Sequence, residues 1–179
     1  IFAAVKGVIG TVHADLEGQF VEAGTPLVLI RHFLSKDEVI AAYLLQRDSP
    51  NLAAFARWLR EAEGPLPNRM ESFFGHLAQA GRHPNWKGCG FLRTVAELAN
   101  LPGHPARQAA AAHKKRVEAW LKAIFDEAGI AASAALAGQI ALLMEGAFSA
   151  MLVHRDPSYA KTAGHAARVL VAAAQDATQ

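Results

Sequence analysis

The chain has 179 residues, of which 52% are hydrophobic, and its formal net charge is +2. This length allows one domain, or a small head joined to a larger body, with a substantial core. So small a charge does not by itself indicate nucleic-acid binding, and the single cysteine, Cys89, excludes an intramolecular disulfide and a cysteine-based metal cluster. One cysteine also favours a reducing compartment, the cytoplasm.

Residues 1–34 predict three short helices. The apolar pattern is already helical at Ile1, so we expect further residues of this head, including a basic arm, to precede it. No signal peptide is visible. The second helix covers 11–21, Gly24 permits a turn, and Thr25 with Pro26 supplies the start of the third helix. This layout is typical of a helix-turn-helix unit.

A long helix follows. Ser35 and Glu38 have the spacing of a capping box, so a helix is predicted from Lys36 at least to Arg47. Pro50 interrupts the pattern, and the helix is predicted to kink or restart there. An apolar stripe continues from 52 to 59, and no segment has a strand pattern. The remaining predicted helices cover 68–80, 89–99, 105–128, 133–154 and 157–176.

Together these elements predict an all-α fold. A helix-turn-helix head occupies 1–47, and a larger helical bundle for ligand binding and dimerisation occupies 48–179. The helix 133–154 is long enough to span a membrane, but a central carboxylate, Glu145, costs about 2.5–3.5 kcal/mol on insertion scales. We therefore expect no membrane contact and a helix buried in a core and against a partner.

The last two helices predict a homodimer. Helix 133–154 has apolar residues on two faces, so one face can serve the core and the other a partner. Helix 157–176 has small residues that permit close helix approach. A C2 dimer built as a four-helix bundle follows, and a helix merely central in a monomer is the alternative. One face of helix 133–154 carries Leu136, Ile140, Leu143 and Ala147, and the other carries Met144, Phe148 and Met151. The small residues of helix 157–176 are Ala160, Ala163, Gly164, Ala167 and Val171.

Three groups of motifs, in this order and spacing, resemble the TetR-type transcriptional regulators and cover nearly the whole chain. The first lies at the end of the head, the second in the middle of the larger domain and the third in the last helices. They are Glu22-Ala23-Gly24-Thr25-Pro26 with Leu29-Ile30-Arg31-His32-Phe33 and Ser35-Lys36-Asp37-Glu38; Gly88-Cys89-Gly90-Phe91-Leu92 with Ala96-Glu97-Leu98 and Gly103-His104-Pro105-Ala106-Arg107; and Ala112-His113-Lys114, Trp120-Leu121, Leu143-Met144-Glu145-Gly146-Ala147 and Asp156-Pro157.

The resemblance implies a homodimer that binds operator DNA with its heads and a small effector in each larger domain. It also implies that the third helix enters the major groove while neighbouring side chains hold phosphates, roles that Lys, Arg and a helix N-terminus can fill. The implied DNA-binding residues are Thr25, Pro26, Val28, Arg31, His32 and Lys36.

The head departs from the family pattern. Ile30 stands where a tyrosine is usual, and the segment 24–31 looks one residue short. Residues 1–47 carry four basic against five acidic residues, a formal charge of −1, whereas DNA-binding domains are usually basic. The alternative is therefore a dimeric ligand-binding module with a degenerate head that does not bind DNA.

An apolar set predicts a pocket for a small apolar or amphipathic effector. Each member also suits ordinary core packing, so we expect a cavity among some of them. The set, with His76 and Cys89 as polar contacts, is Phe55, Trp58, Phe73, Phe74, Phe91, Val95, Trp120, Ile124, Met144 and Phe148.

Enzymatic chemistry has weaker support. Cys89 with His76 or His113 as base has the composition of a nucleophilic site, but a cysteine beginning an apolar helix more often packs in a core. The eight histidines lack metal-ligand spacing. We expect no catalytic residue, metal or cofactor. The leading hypothesis is a ligand-responsive repressor whose effector alters the spacing of the two heads.

Overall fold

The computed structural model describes residues 35–177, which form six helices and, within that range, no strand. The predicted all-α fold is confirmed. The three short helices predicted within 1–34 lie outside the described residues. The helices are α1 (Lys36–Glu61), α2 (Leu66–Gly81), α3 (Gly90–Glu97), α4 (Pro105–Glu127), α5 (Ser133–His154) and α6 (Ser158–Asp176).

The first helix begins where the capping box predicts. The Ser35 hydroxyl accepts the Glu38 backbone N–H at 3.2 Å. The helix then runs for 26 residues through Pro50, so of the two predicted alternatives the restart is wrong. Pro50 cannot donate to the Gln46 carbonyl, but both residues are exposed and water can bond that carbonyl instead. The predicted domain division between 47 and 48 therefore falls inside one helix.

α1 connects two hydrophobic clusters. Near its start, Ala41 and Leu44 pack with Phe91 of α3 and the first turns of α4. Near its end, Phe55 and Leu59 enter the main core, to which α2, α4, α5 and α6 also contribute. Leu44 is only 1% exposed. Any rearrangement of α3 or α4 therefore acts directly on the N-terminal half of α1.

The small residues of α6 pack inside the chain. Ala160, Gly164, Ala167 and Val171 are buried, and α6 lies along α2. A Cβ atom on Gly164 would lie 2.7 Å from the Phe74 Cβ. The prediction that these residues face a partner is thus corrected, because they allow α2 and α6 to approach closely.

The outward face of α5 also differs from both predicted faces. The two predicted sets are buried or half-buried, as the close contacts with α4 and α6 require. Leu142 and Val153 instead point outward, with exposed fractions of 73% and 71%. Gly146 is exposed between them at helical spacing. Beside this face, a groove of about 260 Å³ separates α5 from α6.

By length and composition, α5 is also the one helix between residues 35 and 177 that is apolar enough to cross a membrane, with a mean hydropathy of 1.6. Core helices share this property. Here Ile140 and Met144 are buried, and the helix packs on α4 and α6.

The close approach of α2 and α6 predicts the effect of adding one methyl group. We expect Gly164→Ala to destabilise the protein by about 1–3 kcal/mol, because the new Cβ overlaps the base of the Phe74 side chain, which cannot move independently of α2. The urea midpoint measures this change.

Gly75→Ala is the matched control. Its Cβ would meet nothing within 4 Å, so this helical substitution stabilises by about 0.5–1 kcal/mol. Equal midpoints for the two variants would contradict the described packing of α2 on α6.

Candidate ligand-binding site

Nine of the twelve residues predicted to bind ligand lie in or against the main core. Phe55 meets Phe73 edge-on with ring centroids 5.5 Å apart, and Trp58 stacks on His76 at 5.4 Å. Phe73 and Phe74 are fully buried. The structure places these rings against one another. The nine are Phe55, Trp58, Phe73, Phe74, His76, Trp120, Ile124, Met144 and Phe148.

The other three, Cys89, Phe91 and Val95, lie around α3 in the second cluster. Phe91 and Val95 line a cleft of about 510 Å³ between α3, α4 and α5. Small-molecule sites typically measure about 300–1,000 Å³. The cleft has mainly apolar walls and a few polar groups. Its remaining lining residues are Leu92, Pro102, Arg107, Gln108, Ala110, Ala111, Lys114 and Glu145.

A polar contact between α4 and α5 forms one side of the cleft. Lys114 Nζ lies 2.5 Å from Glu145 Oε1, and each side chain is about one-third exposed. The same ammonium donates to Cys89 Sγ at 3.2 Å and lies 5.9 Å from the centroid of the Phe148 ring. The second oxygen, Glu145 Oε2, is buried and has no hydrogen-bond partner among the described residues. Such an orphaned oxygen is costly and favours a donor from a bound molecule.

A second polar contact joins the cleft wall to α1. The His113 ring stacks on Phe91 with centroids 3.7 Å apart and planes 9° from parallel. Its Nδ1 lies 2.5 Å from Asp48 Oδ1, and Asp48 Oδ2 accepts from Arg116 Nε at 2.6 Å. Phe91, His113 and Asp48 therefore form a continuous contact from α3 through α4 to α1.

Electrostatics fix the protonation states of this contact. Burial lowers the pKa of His113, the charges of Lys114 and Arg116 lower it further, and the bond to Asp48 only partly opposes them. Burial raises the pKa of Asp48, but the hydrogen bonds from His113 and Arg116 outweigh it, so this pKa lies below its ordinary 3.8. A neutral His113 thus donates its Nδ1–H to an ionised Asp48.

Sequence reasoning missed the polar residues of the cleft. Lys114 was named only within a family motif, and Glu145 was noted only as a charge within an apolar helix. The position of Glu145 as the single charge in an apolar helix could have predicted a polar contact, since a carboxylate there needs a partner. Asp48 and His113 are 65 positions apart in the sequence, so no local sequence pattern predicts the bond between them.

The predicted DNA-binding residues fall mostly outside the described part of the chain. Lys36 is exposed at the start of α1. The others, Thr25, Pro26, Val28, Arg31 and His32, lie outside the described residues.

The residues considered for a nucleophilic site or a metal site make the following contacts. Cys89 contacts Lys114, whereas His76 stacks on Trp58 and His113 bonds Asp48. Across residues 35–177, no three His, Cys, Asp or Glu side chains are grouped as metal ligands would be.

Comparison with known proteins agrees with the fold. No family model matches the sequence, and no curated protein is significantly similar to it. The crystal structure of a TetR-family transcriptional regulator from Streptomyces coelicolor matches with a TM-score of 0.64 and 25% sequence identity, over 83% of this chain and 75% of that one. The match defines the class, an all-α regulator fold, and supports a regulatory role. It confirms the TetR-type resemblance of the sequence motifs.

The buried histidine predicts a pH dependence of stability. His113 has a folded-state pKa below its ordinary 6.5, so the unfolded chain takes up that proton first as pH falls. The contribution of His113 to the free energy of unfolding is therefore fully present above pH 6.5 and is lost as the pH falls below that value. Melting temperatures between about pH 8 and pH 5.5 measure the decline.

His113→Gln removes this titration, and we expect a shallower dependence on pH in that window. The control, His83→Gln, replaces an exposed loop histidine and keeps the wild-type dependence. If His113→Gln and the wild type lose stability in parallel, His113 is not the group responsible.

Proposed function

We propose that the chain is a ligand-responsive transcriptional regulator, acting as a repressor, that binds operator DNA as a homodimer. Residues 1–47 form the DNA-binding head, and residues 48–179 form the effector-binding and dimerisation domain. The observation that carries the proposal is the contact from the cleft wall to α1 through Phe91, His113 and Asp48, on a fold shared with a TetR-family regulator.

This contact gives the effector a route to the head. A molecule in the cleft touches Phe91 and Val95 and so displaces α3. His113 stacks on Phe91 and holds Asp48, so α1 follows. Because the proposed head, residues 1–47, includes the first turns of α1, movement of this helix changes the spacing of the two heads. The bound effector favours a spacing that does not fit successive major grooves, about 34 Å apart.

The outward face of α5 and α6 supports the dimer. Leu142, Val153 and Val169 are more than half exposed, and Tyr159 is 39% exposed. Gly146 and the half-buried Ala150 and Ala163 line the groove between the helices. A two-fold axis at this face would bury these side chains in a four-helix bundle.

Such a regulator acts in the cytoplasm, where Cys89 stays reduced, and it uses no cofactor. The alternative keeps the dimer and the ligand site but has a head that does not bind DNA. The acidic balance of residues 1–47 favours that alternative.

DNA binding is tested on the DNA that flanks the protein's own gene. We expect specific binding whose affinity falls steeply with salt, because phosphate contacts release counterions. Lys36→Ala weakens binding to all sequences and lowers the salt slope by about one. Lys161→Ala, at an exposed lysine of α6, leaves both unchanged. Fluorescence anisotropy across a salt series measures these effects.

The two hypotheses differ in one result. Weak binding of equal strength to all DNA sequences would contradict the repressor proposal and support the alternative, a ligand-binding module whose head does not bind DNA.

Dimerisation has its own test. We expect Leu142→Glu to convert the dimer to monomers at micromolar concentration, because it places a charge in the centre of the proposed interface. Leu101→Glu is the control, since Leu101 is 53% exposed in the loop before α4. Light scattering after size exclusion gives the masses. A Leu142→Glu variant that stays dimeric places the interface elsewhere.

A further inference from the structure

We propose that the cleft between α3, α4 and α5 selects an uncharged molecule that has an apolar body and one terminal O–H or N–H group, which donates to Glu145. The inference rests on the proposed function in taking this molecule as the effector. It adds the chemical class of the ligand and the residue that recognises it.

The walls select the apolar body. Phe91, Leu92, Val95 and Pro102 face the cleft from the α3 side, and Ala110 and Ala111 do so from α4. The alanines leave room, and the volume of about 510 Å³ suits a molecule with one ring and a short chain.

Glu145 selects the donor. One carboxylate oxygen holds Lys114 at 2.5 Å, and the other has no partner among the described residues. The terminal torsion of a glutamate is broad, so a small rotation of the carboxylate turns the unpaired oxygen toward the cleft. Because the side chain is about one-third exposed and lines the cleft, Glu145 can accept from a ligand while Lys114 keeps the other oxygen.

The charges disfavour an ionic group at Glu145. A carboxylate placed there would be repelled by Glu145, or would have to take Lys114 from it and leave a partly buried charge unpaired. A cationic ligand would join Arg107 and Lys114, which already outnumber the one carboxylate that lines the cleft. A neutral donor completes the hydrogen bonding of Glu145 without adding charge.

Four probes of similar size separate these cases with the full chain. They are para-butylphenol, para-butylanisole, para-butylbenzoate and para-butylbenzylammonium, titrated by calorimetry at neutral pH, where the phenol is uncharged. We expect the phenol to bind about tenfold more tightly than the anisole, which lacks the donor, and more tightly than either ion.

Glu145→Gln tests the residue itself. Its amide oxygen can hold Lys114, and its NH₂ then replaces the acceptor, so the phenol loses its advantage over the anisole. Glu127→Gln, at an exposed carboxylate outside the cleft lining, keeps the wild-type preference. Ala111→Leu, on the exposed cleft wall, weakens all four probes and provides a variant that leaves the ion pair intact.

Several results overturn the proposal. These are equal binding of phenol and anisole to the wild type, tighter binding of either ion, no binding of any probe at millimolar concentration, or phenol binding that Ala111→Leu leaves unchanged. Operator binding is measured separately without probes, so a failure of the ligand class is distinguished from a failure of the regulator function. Phenol-selective binding without operator binding supports the ligand class and the module with a degenerate head.

Discussion

The buried bond between Asp48 and His113 joins the middle of α1 to α4, between the two hydrophobic clusters that hold its ends. Asp48 stands in the middle of α1, where an unpaired carboxylate would be costly, and its two oxygens are taken up by His113 and Arg116 of α4. A neutral imidazole suits this place because it donates without adding a second buried charge. Since the same ring stacks on Phe91, α1, α3 and α4 cannot rearrange independently.

The packing of α6 decides which surface is left for a partner. Gly164 lets α6 lie against Phe74 of α2, so the small-residue side of α6 is used within the chain. α5 is then covered by α4 and α6 on its inner sides, and Leu142 and Val153 remain outside. An apolar face that survives this packing is the physical reason to expect a second copy, and it differs from the faces that helical periodicity alone indicated.

Between residues 35 and 177 the sequence predicted the helices well, because the residues that start and end a helix are neighbours in sequence. The hydroxyl of Ser35 caps α1 as expected, and Asp156 accepts from the Ser158 backbone N–H at the start of α6. Pro50 does not end α1, because a proline in an exposed helical turn leaves the orphaned carbonyl to water, and helix propensity alone does not predict that exposure. The cleft was largely missed for another reason. Aromatic residues were taken as its lining, but large rings bury more area in the core, whereas small and polar residues left space between α3, α4 and α5.

The two polar contacts of α4 belong to consecutive residues, and this places the proposed ligand site beside the link to α1. Successive residues on a helix point about 100° apart, so His113 meets α1 while Lys114 meets Glu145 of α5. In the proposed function, a ligand that donates to the free oxygen of Glu145 shifts the carboxylate and Lys114 with it, and a small rotation of α4 carries that shift to His113. The steric route through Phe91 and the polar route through Lys114 therefore converge on one ring. Both depend on α4 moving as a rigid helix, which its unbroken run from Pro105 to Glu127 provides.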